Sequence, residues 1–467
     1  MNVDGRLLLH GLGVTNAAAA RAAVAHGVEV VLSDDRDLPG ASQLAAELDA
    51  PLHLVPSPAE MEALIGSVDA VVPAPGLPEA HPLFALAARR GRPVLSEFDL
   101  AAAWDDRPLL AVTGTNGKTT VTTLVTLMLE RSGMRAAAVG NLDTPLVEAI
   151  ADPDIEVFVV EASSFRLAHS RRFAPIVATW LNFAADHLDV HRDVDAYRLA
   201  KARIWRDQGA GDVAVAAAED PVVDAATTAR VALAAAEEEP APTIVRFGLA
   251  PVVDGREVHY HQRGDVLVGP TTQGGHLEEL VRVDRMWSAL PHDRSNALAA
   301  AATALAGGAT LEGVRAALGE FRGLPHRVEL VGERHGVRWY DDSKATAPHA
   351  TLAALAGFDS VVLVAGGRNK GLDLHELRAG TRHVRAVVGI GESGPEVVEA
   401  FSDRPTRVAA SMQDAVLAAA SLARHGDVVL LSPACASFDW YGSYAERGEH
   451  FSRLVRELVL ESGGDTP

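Results

Sequence analysis

The chain holds a single cysteine, Cys435, among 467 residues. One thiol excludes an intrachain disulfide framework and fits a reducing compartment. Basic residues are in deficit: 42 Lys and Arg stand against 62 Asp and Glu, for a net charge of −20. That balance disfavours nonspecific binding to nucleic acid or to anionic membranes, although a locally basic site can still take small anions. No run of about 18 uncharged apolar residues occurs, so no transmembrane helix is expected. The opening stretch MNVDGRLLLHGLG lacks the long apolar core and cleavage site of a secretion signal. These absences lead to the expectation of a soluble, cytoplasmic protein. There is no short tandem repeat, and no low-complexity tail beyond the terminal ESGGDTP.

What is present is ordinary in amount and ordered in pattern. Hydrophobic residues make up 48% and charged residues 22%, as in soluble globular chains. The length suggests about three domains, each an alternation of strands and helices, which implies parallel sheets and an α/β fold class. The first block, residues 1–107, has strands at RLLLHGLG, VEVVLSDD and VDAVVPAPG, with a helix over NAAAARAAVAH stopped by Gly27. The second, 108–322, has strands at PLLAVTG, IEVFVVEASS and IVATWLNFAADH, and a helix over KTTVTTLVTLMLERSG. Its stretch near 219–285 is weaker in pattern, with acidic and hairpin-like pieces. The third, 323–467, has strands at VRWYDDSKAT, SVVLVAGGRNKG, RAVVGIGES and DVVLLSPACAS. In all three, polar residues collect in loops after the strands, where open α/β sheets bind ligands.

The most informative stretch is AVTGTNGKTTVTTLV, residues 111–125. A strand, a Gly-rich turn and a helix start aim backbone N–H groups at an anion, and the helix dipole adds to the attraction. Gly114, Thr115, Asn116, Gly117 and Thr120 frame this loop, Lys118 is placed to reach terminal phosphates, and Thr119 to ligate Mg²⁺. A standard phosphate loop carries a glycine where this chain has Val112, which points to a variant loop. Glu161, Asp186 and His187 follow the next two apolar strands. Beside a phosphate loop they read as a site for a hard cation; singly, Glu161 reads equally as a cap and His187 as a structural residue. Lys201, on a helix over DAYRLAKARIW, reads by default as a surface lysine. GLGVTN after the first strand resembles a dinucleotide loop, but Asn16 replaces its third glycine. Asp34 stands where such enzymes hold a ribose. In the third block Asp342, Ser343, Lys344, Thr346, Lys370, Ser437 and Tyr444 lie in loops suited to anions, although Ser and Asp also favour helix caps. Cys435 has no base nearby in sequence.

Taken in order, GTNGKTT, EASSF, NFAADHLDVH, YRLAKARIW, GLPHRVEL, DDSKATAPHA, AGGRNKG and LSPACASFDWYGSYAERG resemble the Mur ligases of peptidoglycan synthesis across nearly the whole chain. The resemblance implies a Rossmann-like N-terminal domain that binds a UDP-linked substrate. It implies a central ATPase-like domain and a C-terminal Rossmann-like domain that binds an amino acid. The implied reaction is ATP-dependent addition of D-glutamate to UDP-N-acetylmuramoyl-L-alanine through an acyl phosphate, with ATP and Mg²⁺ as cofactors, in a monomer. Lys118, His187, Lys201 and Lys344 would be catalytic. Thr119, Glu161, His187 and a carbamylated Lys201 would hold magnesium. Loop residues 114–120, Asn296, Arg327, Asp342 and Lys344 would bind ATP. Val14, Thr15, Asp34, Asp35, Arg36 and Asn141 would bind the UDP substrate, and Thr346, Lys370, Ser437, Phe438 and Tyr444 the D-glutamate. Two positions depart from the pattern: Asp293 replaces an expected asparagine, and Tyr444 stands where phenylalanine is common. Other Mur-type or folylpolyglutamate-type ligases, a dinucleotide-dependent oxidoreductase and a non-catalytic nucleotide-binding regulator are the rival readings.

Overall fold

A computed structural model describes residues 3, 5–270 and 276–460; the terminal ESGGDTP lies outside them. The chain divides into two compact units, one of residues 1–286 with 295–321, the other of 287–294 with 322–467.

Among the described residues of the first unit, two parallel sheets dominate. The first contains β1 (Arg6–His10), β2 (Glu29–Asp34), β3 (Leu52–Leu54) and β4 (Ala70–Pro73), in the order β3-β2-β1-β4. The second contains β5 (Leu109–Thr113), β6 (Ala136–Gly140), β7 (Val157–Glu161), β8 (Val177–Trp180), β9 (Val213–Ala217) and β10 (Thr243–Phe247). Its order is β10-β9-β8-β5-β7-β6. β7 and β8 are buried throughout, and β5 along all but its first residue. That is why they read as continuous apolar runs and not as alternating ones. The chain leaves β5 toward one edge and later returns to its other side at β8, so the sheet changes direction at β5. Open parallel sheets bind ligands beyond the carboxyl ends at such a point.

The helix Lys118–Arg131 buries Val121, Leu124, Val125, Met128 and Leu129, one stripe at helical spacing. Each such side chain contributes about 1.5–3 kcal/mol of transfer free energy. The helix ends at Ser132, and Gly133 takes the left-handed conformation, φ 90°, that favours glycine.

The weakly patterned stretch holds more structure than its sequence suggests. Pro221–Ala236 is a helix started by the Asp220 carboxylate, which accepts from the Val222 and Val223 amides. Its buried stripe is Val223, Thr227, Arg230 and Ala234. Two polar residues on that stripe hide the apolar period. β10 then joins the main sheet. Beyond it lie small antiparallel pairings of β11 (Val252–Val253) with β12 (Arg256–Glu257), and of β13 (His261–Arg263), β14 (Val266–Pro270) and β15 (Leu277–Arg282).

Among its described residues the second unit has one sheet of β16 (Glu329–Arg334), β17 (Val337–Asp341), β18 (Val361–Gly366), β19 (Val384–Ile390), β20 (Thr406–Val408) and β21 (Val428–Leu431). The order is β16-β17-β21-β18-β19-β20, parallel except for the antiparallel β16–β17 pair. One face packs Val362, Val364, Val388 and Leu431 with Phe451 and Val455; the other packs Leu363, Leu430 and Val387 with Leu374 and Phe401.

Candidate active site

β7, β5 and β8 are neighbours, so the loops leaving them lie side by side. Val112 is still a ladder residue, paired with Glu161 on β7 and Thr179 on β8. The chain departs from the sheet only after Thr113. Residues 114–117 then form the turn, and Gly117 caps the helix Lys118–Arg131 in the left-handed region, φ 82°. A Cβ at Gly117 would come within 2.5 Å of Asn296 Oδ1. Asn182, after β8, shapes the loop: its Oδ1 accepts from the Thr115 and Asn116 amides at 3.1 and 2.8 Å, and its Nδ2 donates to the Asn116 carbonyl at 3.2 Å. Thr115 Oγ1 accepts from the Ala184 amide and lies 3.2 Å from the Tyr197 hydroxyl. Lys118 Nζ donates back to the carbonyls of Gly114 (2.9 Å) and Thr115 (3.0 Å). The Thr119 carbonyl accepts from the Thr123 hydroxyl, and Thr120 is buried.

Lys201 is brought to the same loop. The Asp193 carboxylate caps the helix Val194–Ala202 by accepting from the Ala196 amide. This helix places Lys201 at 1% exposure, with Nζ donating to the Gly114 carbonyl at 2.7 Å. Burial drives this amine well below the ordinary lysine range, and the Lys118 charge adds to the effect; Asp186 and Glu161 oppose it. A lowered lysine favours the neutral amine, the form that reacts with carbon dioxide to give a carbamate.

Glu161 ends β7 and is 2% exposed. Its Oε1 accepts from Asn141 Nδ2 at 2.9 Å, while Oε2 is buried with no hydrogen-bond partner. An orphaned carboxylate oxygen beside a phosphate-type loop fits a hard divalent cation. His187 adopts φ 57°, with Nε2 3.5 Å from Asp186 Oδ2. Its ring meets both Phe165 and Tyr197 edge-on.

The expected UDP-substrate residues lie at or after the ends of β1 and β2, except Asn141, which follows β6. Val14 and Thr15 open the helix Val14–Ala25, and Val14 is exposed. Asp34 is buried and occupied: Oδ2 accepts from the Leu12 amide at 2.7 Å and Oδ1 from the Arg36 amide at 3.0 Å. Asp35 accepts from His81 Nε2 at 2.9 Å. Asn16, the departure from the dinucleotide pattern, donates to the carbonyls of His10 and Val72, tying β1 to β4.

In the second unit, Lys344 Nζ donates to the Tyr444 hydroxyl at 2.7 Å, and Lys370 Nζ donates to Thr346 Oγ1 at 3.2 Å. Asp342 accepts from the Ser432 hydroxyl, and burial pushes its carboxyl up to about 8 against the pull of Ser432. Arg327 lies near enough to lower it in turn. Ser437 is buried, whereas Phe438 is exposed. Asp293 is buried, with His292 Nε2 3.5 Å from its carboxylate. Cys435 is buried and its thiol pushed up to about 12, which makes it inert.

Two family models match the chain: the Mur ligase middle domain over residues 112–304, and the Mur ligase, glutamate ligase domain over 326–435. The "UDP-N-acetylmuramoylalanine--D-glutamate ligase" of Frankia casuarinae is 42% identical over 467 residues, covering 96% of this chain and 93% of that protein. The chain belongs to the Mur ligase family. Relatives of the same name from Syntrophus aciditrophicus and Shouchella clausii are 36% and 37% identical, each spanning 98% of this chain and 99% and 98% of their own. The fold agrees: MurF from Acinetobacter baumannii superposes with a TM-score of 0.59 at 17% identity, covering 97% of this chain and 93% of that one.

Several residues of this Mur ligase escaped the sequence reading. Asn182 is the first polar residue after the apolar run VATWL, a position that signals a site in hindsight. Arg447 is 1% exposed and donates to Ser343 Oγ, the Ser343 carbonyl and the Cys435 carbonyl, fastening the loop that carries Lys344. Burial pulls its guanidinium down to about 10. Arg166, inside EASSFRL, is the third.

Proposed function

We propose that the chain catalyses ATP-dependent addition of D-glutamate to UDP-N-acetylmuramoyl-L-alanine, in cytoplasmic synthesis of peptidoglycan precursor. The observation that carries this reading is the convergence of Lys118 and Lys201 on one carbonyl, that of Gly114, in a chain whose full length matches D-glutamate ligases.

A carboxylate is a poor electrophile, and ATP converts it to an acyl phosphate. The attacking carboxylate and the γ-phosphate are both anionic, so the task is neutralisation and alignment. Lys118 supplies a cation to the phosphates, and the amides of the loop and helix start orient them. Glu161, Thr119, His187 and carbamylated Lys201 would hold Mg²⁺, which when bound supplies charge neutralisation at the phosphates. An ammonium at Lys201 would repel that ion; a carbamate attracts it. Lys344 adds a second cation for the transferred phosphoryl group. Asn296, Arg327 and Asp342 are assigned to the nucleotide. Thr346, Lys370, Ser437, Phe438 and Tyr444 are assigned to D-glutamate, whose neutral amine attacks the acyl carbon and expels phosphate. Val14, Thr15, Asp34, Asp35, Arg36 and Asn141 are assigned to the UDP substrate. Asp34 would act there mainly by shaping the loop, since its oxygens are already engaged. The reading divides the chain at 1–107, 108–322 and 323–467, as a monomer with small-molecule partners.

The test is coupled ADP release with a panel of D- and L-amino acids on UDP-N-acetylmuramoyl-L-alanine. Turnover that needs both this substrate and D-glutamate supports the reading; no turnover with that pair at any Mg²⁺ concentration ends it.

A further inference from the structure

Arg166 belongs to none of the assigned sets, yet its guanidinium joins two residues of the UDP-substrate set, one of which touches Glu161. It is 5% exposed. Nε donates to Glu97 Oε1, Nη1 to Asn141 Oδ1 and Nη2 to Thr15 Oγ1, each at 2.9 Å. Glu97, itself 2% exposed, is held by the Val147 amide at 3.0 Å, so one side of the fork is braced by a fixed carboxyl group. The planar guanidinium converts that brace into fixed directions for its other two bonds.

The consequence runs through Asn141. Its Oδ1 faces a group that can only donate, so its Nδ2 must face Glu161, where it donates to Oε1 at 2.9 Å. The backbone adds a second tie, from the Asn141 amide to the Glu161 carbonyl at 2.9 Å. With Oε1 engaged, the other oxygen of Glu161 is the buried one without a partner. At the opposite end, Thr15 Oγ1 accepts from Arg166, which leaves the hydroxyl proton to be donated to an anion. The chain Thr15–Arg166–Asn141–Glu161 thus has an anion-donating end and a cation-accepting end.

We infer that Arg166 is a positioning residue that couples occupancy of the UDP-substrate site at Thr15 to cation binding at Glu161. This rests on the function proposed above. An anion at Thr15 fixes the hydroxyl, and through the guanidinium and the carboxamide it fixes the rotamer of Glu161. Coupling of this kind is reciprocal, so the cation tightens the substrate by the same factor.

The experiment is calorimetric titration of UDP-N-acetylmuramoyl-L-alanine into the full chain without ATP, with and without saturating Mg²⁺. In the wild type, Mg²⁺ tightens binding by about fivefold or more, the lower range of measured couplings. In Arg166→Gln, Thr15→Val and Glu161→Gln that factor falls to about one, and Arg166→Lys keeps part of it. Thr15→Val leaves the Arg166–Glu97 pair intact and carries the test should Arg166→Gln fail to fold. A folded Thr15→Val protein with the wild-type factor overturns the inference, because direct chelation of Mg²⁺ by the substrate's diphosphate then accounts for the effect. A wild type that turns over without any Mg²⁺ effect on substrate affinity overturns it too, and leaves the proposed ligase function standing. A wild type that neither binds the substrate nor turns over removes both.

Discussion

Tyr444 holds Lys344 in two ways: its hydroxyl accepts from Nζ at 2.7 Å, and the ammonium lies 4.0 Å from the centroid of its ring. A phenylalanine at this position would keep the ring and lose the hydroxyl. Tyr444→Phe is therefore expected to retain ligase activity within about threefold, since a cation–π contact of this type alone contributes about 0.5–2 kcal/mol. Lys344→Ala, which removes the cation itself, is expected to lower kcat by about a hundredfold or more. Steady-state ADP release on the two variants separates hydroxyl from charge; equal losses would contradict the assignment.

Lys201→Ala removes the buried amine at the loop. Activity should fall by about a hundredfold or more, and added short carboxylates should restore part of it by standing in for the carbamate. The check is ADP release across an acetate or formate series. Wild-type turnover in the variant would end the carbamate proposal.

Gly117→Ala places a methyl group 2.5 Å from Asn296 Oδ1 and asks alanine to hold φ 82°. The backbone term alone costs roughly 1–2 kcal/mol. A lowered melting temperature and an ATP affinity reduced at least tenfold by calorimetry are expected.

Asn182→Ala leaves the Thr115 and Asn116 amides without their common acceptor. The Thr115 amide keeps the Asn182 backbone carbonyl, so the loss is of the side-chain bonds that shape the loop; at about 0.5–1.5 kcal/mol each, ATP affinity should drop about tenfold while the UDP-substrate affinity stays unchanged. Parallel titrations with the two ligands give the answer.

Asp342 offers a pH signature. Its carboxyl is raised in the folded chain to about 8, chiefly by burial. The folded state thus holds a proton that the unfolded state has released. The associated stability is fully present below the ordinary carboxyl range and is lost as pH rises through about 8. His326 acts in the same sense, raised by its 2.6 Å bond to Asp341, over a window beginning near the ordinary histidine value. Thermal unfolding between pH 5 and 8 should show a falling melting temperature whose slope is shallower in Asp342→Asn. An unchanged slope would contradict the assignment.

Much of this site was legible because its residues sit at strand ends, and strand ends are visible as apolar runs giving way to polar ones. Glu161 and the loop after Thr113 were found that way. Val112 looks like a defect only because the standard pattern starts the loop two residues earlier; it is a ladder residue, and a glycine there would serve no turn. Lys201 was the opposite case. Its helix spacing suggests a surface residue, and only its depth, set by contact with a loop 87 residues away, makes it part of the site. Arg166 was out of reach for the same reason, since its partner Thr15 lies 151 residues distant in sequence. The helix Pro221–Ala236 was hidden because it buries Thr227 and Arg230, which no apolar period reveals.

The carbonyl of Gly114 accepts from both Lys118 and Lys201. The phosphate loop therefore rests with its own amines folded onto it. The Gly114 and Thr115 carbonyls hold the Lys118 ammonium beside the loop amides that would take a phosphate. In the proposed function the loop thus carries its own counter-charge, gathered at its mouth by a single backbone carbonyl.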